Sequence, residues 1–128
     1  MFGARDPLTL VQIVLSLEKG GSRHAFNCPG TAGQTVITTF EMTPATAAEL
    51  MEALQSAFDE VIRFQEGFIG AALHMNDAMT RVCNYSQWRS SDDYKAMLRT
   101  PEMIARNRHI LTLCKGFEPV MYEVARVA

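Results

Sequence analysis

The chain lacks most of the sequence features by which common enzyme classes are recognised. Its three cysteines, Cys28, Cys83 and Cys114, lie far apart and form neither a CxxC pair nor a Cys/His metal-ligand spacing. Reduced thiols in a cytoplasmic protein are therefore expected, and no metal site is predicted. There is no GxGxxG or Walker phosphate loop, no GxSxG elbow and no HExxH helix. These absences argue against a nucleotide-binding fold, a serine hydrolase and a zinc peptidase.

Strong charge and long apolar runs are also absent. The formal net charge is −2, and acidic and basic residues are spread along the chain without a basic patch. No nucleic-acid partner is expected. The longest apolar run, within PLTLVQIVLSL, is too short and too interrupted to cross a bilayer, and it lacks the flanks of a signal peptide. We therefore expect no membrane partner and a cytoplasmic location.

A chain of 128 residues, 48% of them hydrophobic, has room for one domain with a sizeable core. Residues 1–34 are interpreted as an N-terminal extension. Within it, Asp6-Pro7 and Gly20-Gly21 would start and end a helix, although the β-branched residues between them also favour a strand. The Gly-, Ser- and Pro-rich residues 20–34 indicate a loop.

Residues 35–128 carry a clearer pattern and are interpreted as the folded domain. The runs QTVITTFEM, FIGAALHM, TRVCNYSQW and FEPVMYEVARV predict four strands. A helix is expected between the first two strands, with Thr46 and Glu49 as its capping box. Two shorter helices are expected before the last strand, one starting near Ser90 and one at Pro101.

The order β-α-β-β-α-β predicts an α+β, ferredoxin-like fold, with a four-stranded antiparallel sheet and helices on one face. The other face of the sheet then needs cover. The same face of a second copy would supply it, which predicts a homodimer in the form of a dimeric α/β barrel.

The third strand places polar side chains on both of its faces. Asn84, Ser86 and Trp88, the only tryptophan, point to one side, whereas the alternate residues Arg81, Cys83, Tyr85 and Gln87 point to the other. Burying such groups without partners is costly, so one face is expected to line a cavity. That these are simply hydrogen-bonded structural residues is an equally open interpretation.

The second strand offers one titratable candidate. Strict alternation would place Phe68, Gly70, Ala72 and His74 on one face, where the small residues leave room opposite them. His74 is the natural proton acceptor near neutral pH, although a lone histidine on a strand is more often structural.

The helices supply the remaining candidates, namely Tyr94, Arg106, Arg108 and His109; the two arginines could equally be solvated surface charges. Amide, indole, phenol, imidazole and guanidinium groups can orient a substrate, take one proton and stabilise an anion. They cannot carry electrons. A redox reaction would therefore use the substrate's own electrons or a bound cofactor.

The stretch EGFIGAALHMNDAMTRVCNYSQWRSSDDYKAM resembles the antibiotic biosynthesis monooxygenase family. The shared pattern is Gly-Phe opening the second strand, a His near its end, the block N-Y-x-Q-W, and a Tyr six residues after the Trp. The likeness covers residues 35–128 and is strongest to the small quinone-forming monooxygenases of aromatic polyketide pathways, of the actinorhodin type.

The resemblance implies a cofactor-free oxygenase that oxidises an anthrone-like phenol to a quinone with O2 as co-substrate. Asn84 and the indole N–H of Trp88 would stabilise an oxyanion or peroxide, and Tyr94 would hold a substrate hydroxyl. His74 is the candidate base, and Arg108 matches a pocket arginine, with Arg106 as its near competitor. Further candidates for substrate contact are Phe68, Ala72, Ser86, Arg106 and His109.

Two alternatives remain open. Haem-degrading relatives also carry a tryptophan on this strand, but they need an asparagine where this chain has Thr38 and a haem-ligating histidine where it has Asn107. The chain could also be a non-catalytic dimeric α/β barrel that binds a small aromatic ligand.

Overall fold

A computed structural model describes residues 33–127, and the predictions for residues 1–32 lie outside this range. The strands are β1 (Gln34–Glu41), β2 (Phe68–Met75), β3 (Arg81–Trp88) and β4 (Gly116–Tyr122). The helices are α1 (Pro44–Glu60), α2 (Ser91–Leu98) and α3 (Pro101–Leu113), with a 3₁₀ turn at Ile62–Phe64. The predicted element order, with the second helical segment split in two, is confirmed.

The four strands form one antiparallel sheet in the order β2-β3-β1-β4. This is the predicted α+β, ferredoxin-like arrangement. Pro119 lies in β4 opposite Thr38, on an edge strand. An edge strand tolerates proline because one side of its backbone needs no ladder hydrogen bond.

The helices cover one face of the sheet and enclose the core. The inward side chains of β1, including Val36 and Phe40, are buried with Leu50, Leu54 and Phe58 of α1. The α1 residues recur three and four positions apart, which places them on one helical face. Burying each such side chain stabilises the fold by roughly 1.5–3 kcal/mol. None of the helices in the described part of the chain has the length and apolar character that a bilayer crossing demands.

The helix starts agree with the sequence in two cases and differ in one. The hydroxyls of Ser90 and Thr100 accept hydrogen bonds from the backbone N–H groups of Asp93 and Met103, respectively. The prediction of a capping box at Thr46 is wrong, because α1 begins at Pro44 and Thr46 therefore lies inside the helix. The Thr46 hydroxyl instead donates to the carbonyl oxygen of Leu113 at 2.7 Å, which ties α1 to the end of α3.

An irregularity in β2 overturns the predicted face of that strand. The register with β3 shifts between Phe68 and Gly70, so the strand contains an extra residue there. After the shift, Leu73 stands opposite Asn84 and His74 stands opposite Cys83. Phe68 therefore lies on the helix-covered face of the sheet, whereas Gly70, Ala72 and His74 lie on the other face.

Candidate active site

A small cavity lies between the sheet and the helices, where a ligand site was expected. Its volume is about 50 Å³. Its polar lining residues are Thr38, Asn84, Tyr94 and Asn107, and its apolar ones include Phe40, Phe58, Met97, Leu98, Met103 and Ile110. This space holds roughly one to a few water molecules. A tricyclic ligand would need to displace part of the wall, and the two methionines have the most adaptable side chains there.

Asn84 is the polar group on β3 that reaches this cavity. It stands opposite Thr38 of β1, so both side chains lie on the helix-covered face of the sheet. The amide oxygen Oδ1 is buried, and it has no hydrogen-bond partner among the described residues. Leaving such an acceptor unpaired costs roughly 1–3 kcal/mol. A ligand that donates a hydrogen bond would recover this free energy.

Tyr94 contributes a phenol from the first turn of α2. It is 7% exposed, and its ring lies 5.8 Å from the Trp88 ring, centroid to centroid. Burial raises the pKa of the phenol, and a hydrogen bond with Thr38 offsets part of this rise. The raised pKa keeps Tyr94 protonated near neutral pH. It is therefore a hydrogen-bond donor and not a base.

Trp88 packs against Tyr94, which lines the cavity, but Trp88 is not itself a lining residue. It is 1% exposed and lies between the rings of Phe68 and Tyr94, with edge-on contacts at 5.3 and 5.8 Å. Its indole N–H donates to Oγ of Ser86 at 3.3 Å. Ser86 Oγ donates in turn to the carbonyl oxygen of Val36 at 3.3 Å. Both side chains therefore have partners within the protein.

His74 and Ala72 do not join this group. They lie on the opposite face of the sheet from Asn84, because of the irregularity in β2. His74 is exposed. The strand separates the imidazole from the cavity, so His74 is not within reach of a ligand held beside Asn84 in this arrangement.

Arg106 and His109 line a different space, an open groove of about 600 Å³ between α1 and α3. Arg106 donates to Oε1 of Glu60 at 2.5 Å and to Oγ of Ser56 at 3.0 Å, which joins the two helices. The hydrogen bond from Arg106 lowers the pKa of Glu60. Arg108 is exposed on α3. None of these three candidates lines the cavity beside Asn84.

Asn107 is a polar lining residue that, like Thr38, sequence reasoning did not select for the site. Successive helix residues are rotated by about 100°, so the residue between Arg106 and Arg108 can point inward while both arginines point away. Met103, Asn107 and Ile110 are spaced four and three apart, and Met103 and Ile110 are buried. That spacing was a signal for an inward-facing Asn107.

The chemistry available in the cavity follows from these groups. Two amides, a hydroxyl and a phenol can donate and accept hydrogen bonds in a largely apolar space. The cavity-lining residues of the described chain include no imidazole, carboxylate or thiol. Within residues 33–127, no group of three or more His, Cys, Asp or Glu side chains is placed to hold a metal ion.

Comparison with known proteins agrees with this architecture. Residues 34–107 match the family model described as antibiotic biosynthesis monooxygenase. The tetracenomycin-F1 monooxygenase of Streptomyces glaucescens is 33% identical over 69 residues, or 54% of this chain and 62% of that relative. The match thus spans less than two thirds of the relative.

Two solved structures show the same fold. A Streptomyces coelicolor monooxygenase in complex with nanaomycin D is 27% identical, with a TM-score of 0.69 over 81% of this chain and 97% of that one. SnoaB, a cofactor-independent oxygenase from Streptomyces nogalater, is 17% identical, with a TM-score of 0.60 over 75% and 96%. The family model covers more than half of the residues of this chain, and the chain therefore belongs to the antibiotic biosynthesis monooxygenase family.

Proposed function

We propose that this protein is a cofactor-independent monooxygenase that oxidises a polycyclic, anthrone-like phenol to a quinone with O2. The observation that carries the proposal is the unpaired, buried oxygen of Asn84 on a cavity lined by apolar side chains and a protonated phenol. Family membership supports the reaction class. The names of the relatives, a tetracenomycin-F1 monooxygenase and a cofactor-independent oxygenase, support the substrate class and the absence of a cofactor.

The proposed reaction balances without an added reductant. An anthrone CH2 flanked by aromatic rings loses one proton to give an electron-rich enolate. The enolate transfers its electrons to O2 and forms a carbon–oxygen bond. Loss of water from the resulting peroxide leaves a C=O group, so CH2 and O2 become C=O and H2O. The substrate is oxidised, and one oxygen atom of O2 is reduced to water.

The cavity residues would favour this reaction by holding the substrate and its developing charge. Fixed donors in a dry space stabilise an oxyanion more than water does, because they need not reorganise. Oδ1 of Asn84 would accept a hydrogen bond from a substrate hydroxyl, and its Nδ2 would donate to a substrate oxygen. Tyr94 would donate from its phenol. Trp88 would place the Tyr94 ring, and its own N–H would reach substrate only by leaving Ser86. The exposed His74 would act as the base only if the substrate's acidic proton lay on the opposite face of the sheet, or if β2 rearranged to bring the imidazole to the cavity.

Oxygen consumption tests the proposal directly. Purified protein should consume O2 with dithranol above the uncatalysed rate, without added flavin and in the presence of EDTA, and its spectrum should show no bound chromophore. Asn84→Ala should remove most of this activity, and Trp88→Phe should lower it. Lys95→Ala, on the exposed side of α2, is the control and should retain it. Wild-type uptake equal to that of heat-inactivated protein would refute the proposal.

A binding role is the second candidate, because the cavity-lining residues include no obvious base. A protein that binds hydroxylated aromatics tightly but consumes no O2 would be a binding module. The haem-degrading alternative is disfavoured by the donor set, since Asn107 and not a histidine lines the cavity, and His109 lies in the groove between α1 and α3. Addition of haemin tests the haem-degrading alternative, because only a haem-binding protein would develop a Soret band.

We also propose that the protein is a homodimer through the face of the sheet opposite the helices. In the described chain no helix covers this face, and it exposes Val120 and Tyr122 beside the half-buried Ile37 and Tyr85. Light scattering should give twice the monomer mass of 14.3 kDa. A molar mass equal to the monomer value across the working concentration range would refute the dimer.

A further inference from the structure

We propose that Arg89 is a positioning residue that acts through Asp93 to hold the phenol of Tyr94 at the cavity. The inference rests on the proposed function in one respect, since it gives the phenol a donor role toward the substrate. The position of the ring itself can be measured without turnover.

Three aromatic rings pack in a row at one end of the sheet. The ring of Trp88 lies between those of Phe68 and Tyr94, at centroid distances of 5.3 and 5.8 Å. Phe68 opens β2, Trp88 ends β3 and Tyr94 lies in the first turn of α2. Of the three, Tyr94 is the one that lines the cavity. The place of its phenol therefore depends on how the first turn of α2 is held against the ends of the two strands.

A second set of contacts involves the chain neighbour of each ring, namely Gly67, Arg89 and Asp93. The backbone N–H of Arg89 donates to the carbonyl oxygen of Gly67 at 2.7 Å. Its guanidinium donates from Nε and Nη2 to the two carboxylate oxygens of Asp93 at 2.8 and 3.0 Å. The Asp93 carboxyl packs so closely on Gly67 that a Cβ there would overlap it. These contacts form a closed triangle, one residue along the chain from the three rings.

The ion pair between Arg89 and Asp93 restricts orientation more than it adds stability. The Arg89 side chain is 60% exposed, and exposed ion pairs contribute little to the free energy of folding. Two parallel hydrogen bonds nevertheless fix the plane and the distance of the carboxylate. The hydrogen bonds from Arg89 also lower the pKa of Asp93, so the pair stays ionised at neutral pH. Because Asp93 directly precedes Tyr94, fixing the carboxylate fixes the turn that carries the phenol.

A displaced phenol would affect the chemical step more than substrate binding. A hydrogen-bond donor stabilises developing charge only when it lies where that charge appears. Misplacement of a reacting or catalytic group by about 1 Å can lower the rate by about 100-fold. Loss of the ion pair should therefore lower kcat and leave KM nearly unchanged, because the interaction concerned is made in the transition state.

Circular dichroism provides the test that does not depend on turnover. Trp88 is the only tryptophan in the chain, so the tryptophan bands of the near-UV spectrum report the surroundings of its ring. Tyr94→Leu defines the change that loss of the neighbouring ring produces. Arg89→Met and Asp93→Asn should change these bands in the same direction, while the far-UV spectrum stays that of the wild type.

O2 uptake with dithranol provides the kinetic test. Arg89→Met should lower kcat by about 10-fold and change KM by less than about 2-fold. Asp93→Asn should act in the same way, and the double variant should be no slower than the slower single one, because both substitutions remove one pair. Arg89→Lys keeps the charge without the bidentate geometry and should recover part of kcat. Arg99→Met, exposed at the other end of α2, is the matched control and should behave as wild type in both tests.

The outcomes separate this inference from the oxygenase. Unchanged tryptophan bands in Arg89→Met would overturn it, and so would additive effects of the Arg89 and Asp93 substitutions on ln kcat. If Arg89→Met does not fold, Arg89→Lys and Asp93→Asn decide by the same criteria. A wild type without O2 uptake would refute the oxygenase, and the tryptophan bands alone would then decide whether Arg89 holds the ring of Tyr94. O2 uptake with unchanged bands in the variants would refute the positioning role and leave the oxygenase standing.

Discussion

The indole N–H of Trp88 and the hydroxyl of Ser86 are hydrogen-bonded at 3.3 Å on one face of β3. The same hydroxyl donates to the backbone carbonyl of Val36 on the neighbouring strand. Two of the three polar side chains in this row therefore satisfy each other. Asn84, the third, is left with an oxygen that finds no partner among the described residues, which marks it as the group of the row that is available to a ligand.

The hydrogen bond between Ser86 and Trp88 should give a measurable coupling energy in a double-mutant cycle. We expect Ser86→Ala to lower the free energy of unfolding by about 1–3 kcal/mol, because it leaves the buried indole N–H unpaired. In a double-mutant cycle with Trp88→Phe, urea denaturation should show a coupling of about 1 kcal/mol. Effects of the two substitutions that simply add would contradict the hydrogen bond.

Replacing Asn84 by an apolar residue should raise the stability of the protein and lower its activity. Asn84→Leu removes a buried acceptor without a partner and keeps a similar volume, so we expect the free energy of unfolding to rise by about 1–3 kcal/mol. The same variant should lose at least about 10-fold in O2 uptake, since the site loses a polar contact with the substrate. Asn84→Ala serves as the comparison, because it removes the amide without refilling the space. A less stable Asn84→Leu would mean that the amide is paired in solution.

Gly67 should be intolerant of substitution, whereas Gly116 should not. Gly67 has a φ of +83°, and a Cβ there would overlap the carboxyl group of Asp93. That carboxylate accepts from Nε and Nη2 of Arg89 at 2.8 and 3.0 Å, so the clash also disturbs an ion pair. Gly67→Ala should lower the free energy of unfolding by more than about 2 kcal/mol. Gly116→Ala is the matched control, because its Cβ would meet nothing within 4 Å.

The buried phenol of Tyr94 predicts an alkaline loss of stability. Burial raises its pKa above the ordinary value of 10.0, despite the opposing hydrogen bond with Thr38. The folded state then holds the proton more tightly than the unfolded chain. The resulting stability is fully present below pH 10 and is lost as the pH rises through the folded-state pKa. Urea denaturation at increasing pH should show this loss in the wild type and a smaller one in Tyr94→Phe.

Met103 should limit the size of the cavity. It lies on α3, is 3% exposed and lines the cavity beside Asn107. Met103→Ala should lower the free energy of unfolding by about 2–5 kcal/mol, because it removes buried atoms and leaves a void. The larger cavity should at the same time bind anthraquinone more tightly, as measured by quenching of the fluorescence of Trp88, the only tryptophan in the chain. Weaker binding of anthraquinone in a variant that remains folded would show that aromatic ligands do not bind in this cavity.

Much of the fold was predictable because it depends on local patterns. The β-branched runs, the spacing of Leu50, Leu54 and Phe58, and the helix starts at Ser90 and Pro101 all follow from short-range preferences. The strict alternation of β3 also correctly placed Asn84, Ser86 and Trp88 on one face. The motif around Asn84 was enough to indicate the family.

Sequence by itself thus determined the elements, their order and the grouping of Asn84, Ser86 and Trp88 on one face of β3. The tertiary structure decided which residues line the cavity. A single extra residue in β2 moved His74 to the other side of the sheet, and no alternation pattern reveals such a shift. One position along α3 changes the direction of a side chain by about 100°, so Asn107 reaches the cavity and its charged neighbours do not. Which polar groups remain unpaired depends on partners distant in sequence, as for Ser86 and Val36 across two strands, and only the folded chain brings those partners together.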